Sequence, residues 1–280
     1  MNVALFSVEF FRWLWIIYAV GCAVYLIQYA MDLYKWNPFK KPDVLSESEK
    51  RILLKWLPAY GKMSASSKNR FEKRTVWYRI AKTYKFQGQI DYQDDLKLLL
   101  SGSLALMTIG ISNYRMMTSL VEIVVYPTQY YSRIKRQYHL GEYNLGLKRV
   151  IVSADQLWKG FEIADDNRNL AVHEFAHALS FHLIKQPFGE GIRFRYGLKQ
   201  IKKLLHRPDY SSKLANTNYF REYGKVNLHE FFSVAVENYF ETPSVFHQEF
   251  PELFDVIQRM LNFDYEISCV FDPPKTSPGN

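Results

Sequence analysis

The sequence predicts an α+β protein: a mainly helical domain with a small sheet, preceded by one transmembrane helix. Three observations lead to this prediction. Residues 13–31 form a run of 19 residues without a formal charge. Several later segments carry apolar residues at helical spacing. Two short runs, residues 121–126 and 150–152, are rich in β-branched residues, which is typical of strands.

The uncharged run of residues 13–31 is long enough to cross a membrane as a helix. At about 1.5 Å per residue it would span roughly 28 Å, close to the thickness of a hydrocarbon core. Aromatic residues lie near its ends, where aromatic belts form: Trp13, Trp15, Tyr29, Tyr34 and Trp36. We therefore predict an N-terminal segment over residues 1–36 that contains a single transmembrane helix at about residues 13–31.

Two other interpretations of this segment stay open. The helix could instead be amphipathic and pack on the domain or lie at the membrane interface. Alternatively, Ala19-Val20-Gly21-Cys22 is a distant lipobox, which would make the segment a cleaved signal with a lipidated Cys22. Because the apolar run continues well beyond Cys22 and no lysine precedes it, we favour the spanning helix.

Basic residues flank the run unevenly. Only Arg12 precedes it, whereas five basic residues follow shortly after it: Lys35, Lys40, Lys41, Lys50 and Arg51. Lys and Arg next to a transmembrane helix translocate poorly. The distribution therefore predicts a single-pass protein of the cell membrane whose long C-terminal portion lies in the cytoplasm.

The remaining chain is predicted to form one domain between two irregular segments. Residues 37–46 contain two prolines and are interpreted as a juxtamembrane linker. The domain is predicted over residues 47–265. Residues 266–280 are polar and rich in proline, and we expect a disordered tail there.

The first part of this domain is predicted to be helical. Ser46-Glu47-Ser48-Glu49 has the pattern of a capping box, for a helix that would run towards Leu57 and stop at Pro58. Residues 69–84 are basic and aromatic at helical spacing, which predicts a half-buried helix. Residues 98–111 are apolar but too few to span a membrane comfortably, so we expect a buried core helix.

Composition excludes several classes of protein. The formal net charge is +8 and the pI is about 9.2, but the basic residues are scattered among carboxylates and no nucleic-acid-binding motif is present. We expect no nucleic-acid partner, and interpret the charge as a solvated surface or one that faces anionic lipid. The two cysteines, Cys22 and Cys269, form no CxxC pair, so neither thiolate ligands nor a disulfide framework is expected.

Residues 170–179 contain an H-E-x-x-H motif on an apolar helical segment. Four residues make just over one helical turn, so His173 and His177 project from one side and can offer two imidazoles to one metal ion. Glu174 points roughly 100° away around the helix. It can reach a water held by the metal and act as a general base, as in zinc hydrolases.

A third ligand is expected from a second helix over residues 227–240, with Asn227 as its N-cap. Glu230 lies near the start of this helix, and Glu237 follows two turns later on the same face. The residues alone leave both glutamates open, with His229 as a third alternative. The segment between the two helices, residues 185–218, is basic and irregular, and we expect it to link them and cover the cleft.

The motifs HEFAHAL, Tyr223-Gly224 and Glu230-Phe231-Phe232 resemble the Mlc titration factor A family of zinc peptidases and the related catalytic domain of anthrax lethal factor. The likeness covers roughly residues 50–250 and includes segments upstream of the motif: residues 57–60, 71–74, 124–127 and 150–155, with Gly160 and Asn169. One departure is Ser180, near a position where the family commonly has an aspartate that orients a ligand histidine.

The resemblance implies a zincin-like metallopeptidase domain with Zn²⁺ as its cofactor and a peptide or protein as its substrate. It implies that Glu230 is the third zinc ligand beside His173 and His177. It further implies that Tyr223 helps to polarise the substrate carbonyl while Glu174 acts as the base. The small sheet is expected beside the cleft, where an edge strand could align an extended peptide.

An alternative function follows from the same resemblance. Some members of the family are implicated in sequestering a transcriptional repressor, so the domain could be a regulatory protein-binding module with little or no peptidase activity. A catalytically silent scaffold at the membrane that keeps zinc for stability is a further alternative. The intact H-E-x-x-H motif with Tyr223 and Glu230 favours the peptidase, because binding alone does not require these residues.

Overall fold

The computed structural model describes residues 2–30, 44–132, 136–221 and 227–264, with the side chains of the first helix described for residues 9–26. The chain divides into an N-terminal unit of residues 1–42 and a second unit of residues 43–280. The predicted tail, residues 266–280, and residues 37–43 of the predicted linker lie outside the described residues.

The N-terminal unit contains one long helix, α1 (Asn2–Ala30). Within it, Glu9–Leu26 is long and apolar enough to cross a membrane, with a mean hydropathy of 1.3. All described side chains of this window are exposed, including Trp13 and Trp15. Removing apolar surface from water is favourable by about 25 cal/mol per Å². A helix with many exposed apolar side chains is therefore more stable in an apolar environment than in water.

The second unit opens with three helices, α2 (Glu47–Trp56), α3 (Pro58–Lys62) and α4 (Ala65–Ala81). The predicted capping box is present: the Glu49 N–H donates to Ser46 Oγ at 3.2 Å, and the Ser46 N–H donates to Glu49 Oε2 at 2.7 Å. Pro58 does stop α2, but it also begins α3, because the first helical position needs no N–H donor.

The prediction of one helix over residues 69–84 was wrong at its C-terminal end. The helix α4 ends at Ala81, and Thr83–Phe86 form strand β1. The reason is tertiary: β1 pairs in parallel with a neighbouring strand, Glu122–Tyr126, and that ladder outweighs the local helical spacing.

The expected buried core helix is confirmed as α5 (Gln93–Met107), whose residues from Leu98 to Met107 are all buried. It begins earlier than the apolar run, because Asp94 and Asp95 in its first turn interact favourably with the helix N-terminus. Gly102 allows close packing there: a Cβ on it would lie 2.8 Å from Leu57 Cδ1.

A four-stranded mixed sheet has the strand order β1-β2-β6-β5, where β2 is Glu122–Tyr126, β5 is Gly141–Asn144 and β6 is Arg149–Ser153. Both strands expected from the sequence are confirmed as β2 and β6, and they pair in parallel with Val125 opposite Val152. The edge strand β5 pairs antiparallel with β6. Tyr130–Ser132 (β3) and Gln137–His139 (β4) form a separate two-stranded ribbon.

The helices that follow the sheet are α6 (Ala154–Glu162), α7 (Leu170–Ile184), α8 (Glu190–His206), α9 (Pro208–Ala215), α10 (Leu228–Glu241), α11 (Pro243–Glu249) and α12 (Pro251–Leu261). Helix α7 is central: it packs against α5, α6, α8, α10 and the strands β5 and β6. The expectation of an irregular segment over residues 185–218 was wrong, because α8 and α9 occupy most of it. Their buried apolar residues have helical spacing that the basic residues between them obscured: Phe194, Leu198, Ile201, Leu204, Tyr210 and Leu214.

Candidate active site

Helix α7 presents its two motif histidines side by side. It begins at an N-cap, Asn169, whose side-chain oxygen accepts the Val172 N–H at 3.1 Å. His173 and His177 then lie one turn apart, with ring centroids 4.9 Å apart and planes at 80°. Their Nε2 atoms are 3.2 Å apart, and both rings are mostly but not fully buried. Two imidazole nitrogens therefore converge on one partly accessible point.

Helix α10 adds a carboxylate at the same point. Its N-cap Asn227 accepts the backbone N–H groups of His229 and Glu230 at 2.9 and 3.0 Å, which fixes the first turn. Glu230 Oε2 lies 3.3 Å from His173 Nε2, and Glu230 Oε1 lies 3.4 Å from His177 Nε2. The structure thus brings together His173, His177 and Glu230, which lie on two helices more than 50 residues apart in sequence.

The spacing of these atoms suits a zinc ion. Zinc binds histidine and carboxylate ligands at about 2.0–2.2 Å in a tetrahedron, whose edges are then about 3.3–3.6 Å long. The three distances of 3.2, 3.3 and 3.4 Å are close to those edges. Two imidazoles and one carboxylate also leave a fourth position open, as catalytic zinc sites do. Other divalent transition metals accept the same donors.

The electrostatics of the cluster favour positive charge at its centre. Burial alone would lower the pKa of His173, but hydrogen bonds with Glu230 and Glu237 outweigh burial and raise that pKa to about 10. Hydrogen bonds with His173 and His177 lower the pKa of Glu230 well below its usual range. A cluster that stabilises a proton on an imidazole in this way also stabilises a divalent cation, which competes for the same atoms.

Glu237 lies on the other side of the His173 ring. Its side chain is fully buried, and its Oε1 lies 2.7 Å from His173 Nδ1 and also accepts from Arg221 Nη2. Its Oε2 accepts the Asn169 N–H at 2.9 Å. A carboxylate at Nδ1 fixes the ring orientation and keeps Nε2 free for a ligand. Glu230 and Glu237 therefore take different parts: Glu230 faces the centre of the cluster, and Glu237 orients one of its histidines.

His229, the remaining alternative for the third ligand, does not reach the cluster. Its ring stacks on Phe181 at a centroid distance of 5.4 Å, and its Nδ1 lies 3.3 Å from Ser180 Oγ. Burial and then the neighbouring His177 lower the pKa of His229. Ser180, where the sequence departs from the family pattern, thus contacts His229. The carboxylate that orients a cluster histidine comes instead from Glu237.

Glu174 is buried between α7 and the edge strand β5. A Cβ on Gly141 would lie 2.6 Å from Glu174 Oε1 and 2.5 Å from Leu170 Cδ1, so only glycine fits against this carboxylate without displacing it. Glu174 is also close enough to Tyr130 to affect its titration: burial, then Glu142 and Glu174, raise the pKa of Tyr130. The Tyr130 hydroxyl donates to Glu142 Oε2 at 3.3 Å.

The sequence did not identify four residues of this neighbourhood: Arg221, Tyr130, Glu142 and Gly141. A glycine inside a strand often marks a close approach of another element, so Gly141 is the one that the sequence could have indicated. Tyr223, by contrast, was predicted, but it lies outside the described residues, which resume at Asn227. Its role stays a prediction.

Comparison with known proteins identifies the family of the chain. A family model described as the glucose-regulated metallo-peptidase M90 matches residues 35–262. The chain belongs to the M90 family. This is the Mlc titration factor A family, so the resemblance inferred from the motifs is confirmed, as is an α+β metallopeptidase fold. No curated protein matches the chain.

The M90 domain of this chain allows a test of how the β5 strand positions Glu174. We expect Gly141→Ala to lower kcat for peptide cleavage by about 10²-fold, because the new methyl group displaces the Glu174 carboxylate by roughly 1 Å. The free energy of unfolding should fall by about 1–3 kcal/mol, since the methyl group overpacks a site where Glu174 is buried and Leu170 packs against the core. Steady-state kinetics and thermal unfolding measure the two effects.

Gly146→Ala is the matched control in the same hairpin, because a Cβ there would meet only Asn144 Oδ1 at 3.5 Å. It should leave kcat unchanged. Equal kcat in wild type and Gly141→Ala would show that the contact between β5 and Glu174 does not position this carboxylate.

Proposed function

We propose that the chain is a membrane-anchored metallopeptidase that hydrolyses peptide bonds with a zinc ion held by His173, His177 and Glu230. One observation carries the proposal. In a domain of a metallopeptidase family, the two histidines of an H-E-x-x-H helix and a glutamate from a second helix meet at distances of 3.2–3.4 Å. The donor set and the spacing fit zinc.

Three residues would bind the metal, and a fourth would orient one of them. His173 and His177 would bind through Nε2, and Glu230 through its carboxylate. Glu237 would keep His173 in the required orientation, and is itself held by Arg221 and the Asn169 N–H. Zinc bound there would supply a Lewis acid and lower the pKa of a bound water towards neutrality.

Glu174 is the residue we assign as general base. It would take a proton from the attacking water and pass it to the leaving amine. Its packing against Gly141 holds the carboxylate in one place, which general-base catalysis requires. Tyr223 would donate a hydrogen bond to the developing oxyanion, a contribution typically of about 3 kcal/mol in other hydrolases.

The edge strand β5 offers a place for the substrate backbone. Among the described strands, β5 pairs only with β6, so its other edge is available to an extended peptide. The strand lies close to Glu174, because Gly141, its first residue, packs against that side chain. A peptide or protein is therefore the proposed substrate.

A direct test of the peptidase activity uses the full chain in detergent or lipid, loaded with zinc and incubated with a diverse peptide library. We expect new peptide termini by mass spectrometry that disappear with a chelator. Internal cuts would define an endopeptidase, and stepwise N-terminal trimming an aminopeptidase. A zinc-loaded, folded chain that cleaves nothing would contradict the proposal and favour the regulatory protein-binding alternative.

The membrane part of the proposal depends on α1. Its window Glu9–Leu26 has the length and hydropathy of a span, and its described side chains are exposed. Five basic residues after the span and one before it favour a cytoplasmic second unit. A reporter that is active only after export, fused after Phe271, should stay silent, while a cytoplasmic reporter there should work. The reverse result, or a soluble mature form that begins near Cys22, would overturn this topology.

The role of Glu237 leads to a prediction about metal affinity. We expect Glu237→Gln to bind zinc about 10–100-fold more weakly, because the neutral amide orients and polarises His173 less well than a carboxylate does. Competition with a fluorescent zinc chelator measures the dissociation constant.

Glu241→Gln is the control for this prediction, one helical turn further along α10. Burial and then Glu237 raise the pKa of Glu241 to about 8, so the amide changes the charge of this side chain less at pH 7 than it does at a fully ionised glutamate. Its zinc affinity should equal that of wild type. The same affinity in Glu237→Gln would mean that Glu237 does not act on the metal site.

A further inference from the structure

Helix α8 has one face in the core and one that faces solvent. Its buried residues follow helical spacing and include Phe194, Leu198 and Ile201, and the helix packs against α7, α10 and α12. The opposite face and the turn before it form an exposed surface. We call it the α8 outer face and define it by Phe188, Ile192, Tyr196, Lys199, Lys202 and Lys203.

Large apolar side chains are exposed on the N-terminal half of this face. Phe188 is 79% exposed on the turn before α8, Ile192 is 54% exposed and Tyr196 is 61% exposed. Ile192 and Tyr196 are four residues apart in α8, so they lie on one side of the helix, and Phe188 precedes them on the turn before it. Single exposed apolar residues are common on soluble proteins, but three within nine residues of the chain favour a contact surface.

The C-terminal half of the same face is basic. Lys199, Lys202 and Lys203 are exposed, and each lies three or four residues from an earlier member of the face. The only acid within α8 is Glu190, which points elsewhere and accepts the Ser112 N–H at 2.5 Å. Two acidic residues of α12, Glu252 and Asp255, line the same groove as Lys203 at the end of the face, and both terminal guanidinium nitrogens of Arg207 bind Glu252 at 2.7 and 2.8 Å.

We propose that the α8 outer face docks the second unit onto an anionic membrane surface. Phe188, Ile192 and Tyr196 would enter the boundary between headgroups and acyl chains, and the lysines would contact anionic headgroups. This inference rests on the anchoring part of the proposed function, because α1 would keep the domain next to the bilayer and raise its effective concentration there.

Other occupants match the face less well. The phosphates of a nucleic acid would contact the lysines, but the exposed apolar side chains would stay in water. A second copy of the chain in a symmetric dimer would bring one set of lysines against or beside the other, which is unfavourable. A bilayer with anionic lipid satisfies both halves at once. Because α8 follows α7 directly and packs on α7 and α10, docking would fix the orientation of the metal cluster relative to the membrane.

The test uses the full chain with Cys22 and Cys269 replaced by serine and a spin label at Ile192→Cys. It is reconstituted in vesicles of phosphatidylcholine alone or with phosphatidylglycerol, and the label's access to oxygen and to a water-soluble nickel complex is measured. Compared with phosphatidylcholine alone, anionic lipid should lower the access of nickel to the label at position 192 several-fold and raise the access of oxygen. A label at Ile80→Cys, on the exposed side of α4, should stay accessible to nickel in both lipids.

Charge reversal tests whether the lysines of the α8 outer face, and not the net charge of the chain, cause the shielding. Lys199→Glu, Lys202→Glu and Lys203→Glu together should restore nickel access at position 192. The control reverses three exposed basic residues elsewhere, Lys62, Lys73 and Lys159, and should leave the shielding intact. Circular dichroism verifies that each variant is folded.

Three outcomes would overturn the proposal. Flotation of the vesicles in a density gradient shows whether the chain is membrane-bound. A chain that floats with the vesicles while the label at position 192 stays accessible to nickel contradicts docking but not anchoring by α1. A chain that floats with neither lipid contradicts docking and anchoring together. Shielding that persists in detergent and grows with protein concentration assigns the face to a second copy of the chain instead.

Discussion

Glu174→Gln is expected to bind zinc at wild-type stoichiometry and to lose about 10²–10⁴-fold of its kcat for peptide cleavage. The amide has almost the same size as the carboxylate, so the packing against Gly141 should survive. However, an amide cannot accept the proton of the attacking water. Glu174 is not among the three residues that converge at the cluster, so zinc should stay bound. Elemental analysis and steady-state kinetics measure the two quantities.

Glu142→Gln is the matched control for this variant, because it removes a buried carboxylate from the adjacent strand β5. The Tyr130 hydroxyl can still donate to the amide oxygen, so the structure should be kept. We expect a loss of kcat below about 10-fold, since Glu142 is not assigned a proton-transfer role. If zinc-loaded Glu174→Gln cleaves peptides as fast as wild type, the assignment of the general base is wrong.

His177→Ala is expected to abolish tight zinc binding and, with it, peptide cleavage. The substitution removes one of three ligands and leaves a pair, His173 and Glu230, which is one protein ligand short of the three that catalytic zinc sites use. Because zinc that binds the folded chain stabilises it, zinc should raise the melting temperature of the wild type but not that of His177→Ala. Zinc content after gel filtration and thermal unfolding with and without zinc measure both effects.

His229→Ala is the control that tests the choice of ligands. His229 lies on the first turn of α10 next to Glu230, but it stacks on Phe181 and contacts Ser180. This variant should keep one zinc per chain. If His229→Ala loses zinc while His177→Ala retains it, the cluster is assembled differently from the arrangement described above.

Much of the site could be predicted because its main parts depend on local rules. The spacing of His173 and His177 fixes their relative position on any helix, and Asn227 is a strong N-cap signal before Glu230. The two glutamates, in contrast, are two turns apart on one face of α10, so periodicity cannot separate them. The two glutamates differ in how deeply their side chains are buried. Glu237 is fully buried at Nδ1 of His173, whereas Glu230 is partly exposed at Nε2.

The parts that the sequence did not reveal depend on contacts between distant segments. Gly141 meets Glu174 only because β5 lies beside α7, and Tyr130 comes close to Glu142 and Glu174 from a different strand, β3. The strand β1 was interpreted as the end of a helix, since its pairing with β2 cannot be seen from local spacing. Helix α8 was mistaken for an irregular segment because its exposed face combines lysines with apolar residues.

The most direct test of the central claim is a zinc titration of the metal-free full chain, with cleavage of a peptide identified in the library as the readout. We predict no cleavage without metal, and a rate that rises with added zinc and saturates at one equivalent per chain. His177→Ala should show no saturable rise at the same zinc concentrations. Full cleavage by the metal-free chain, or no cleavage by a folded chain that has bound one zinc, would contradict the assignment of this site as a metallopeptidase centre.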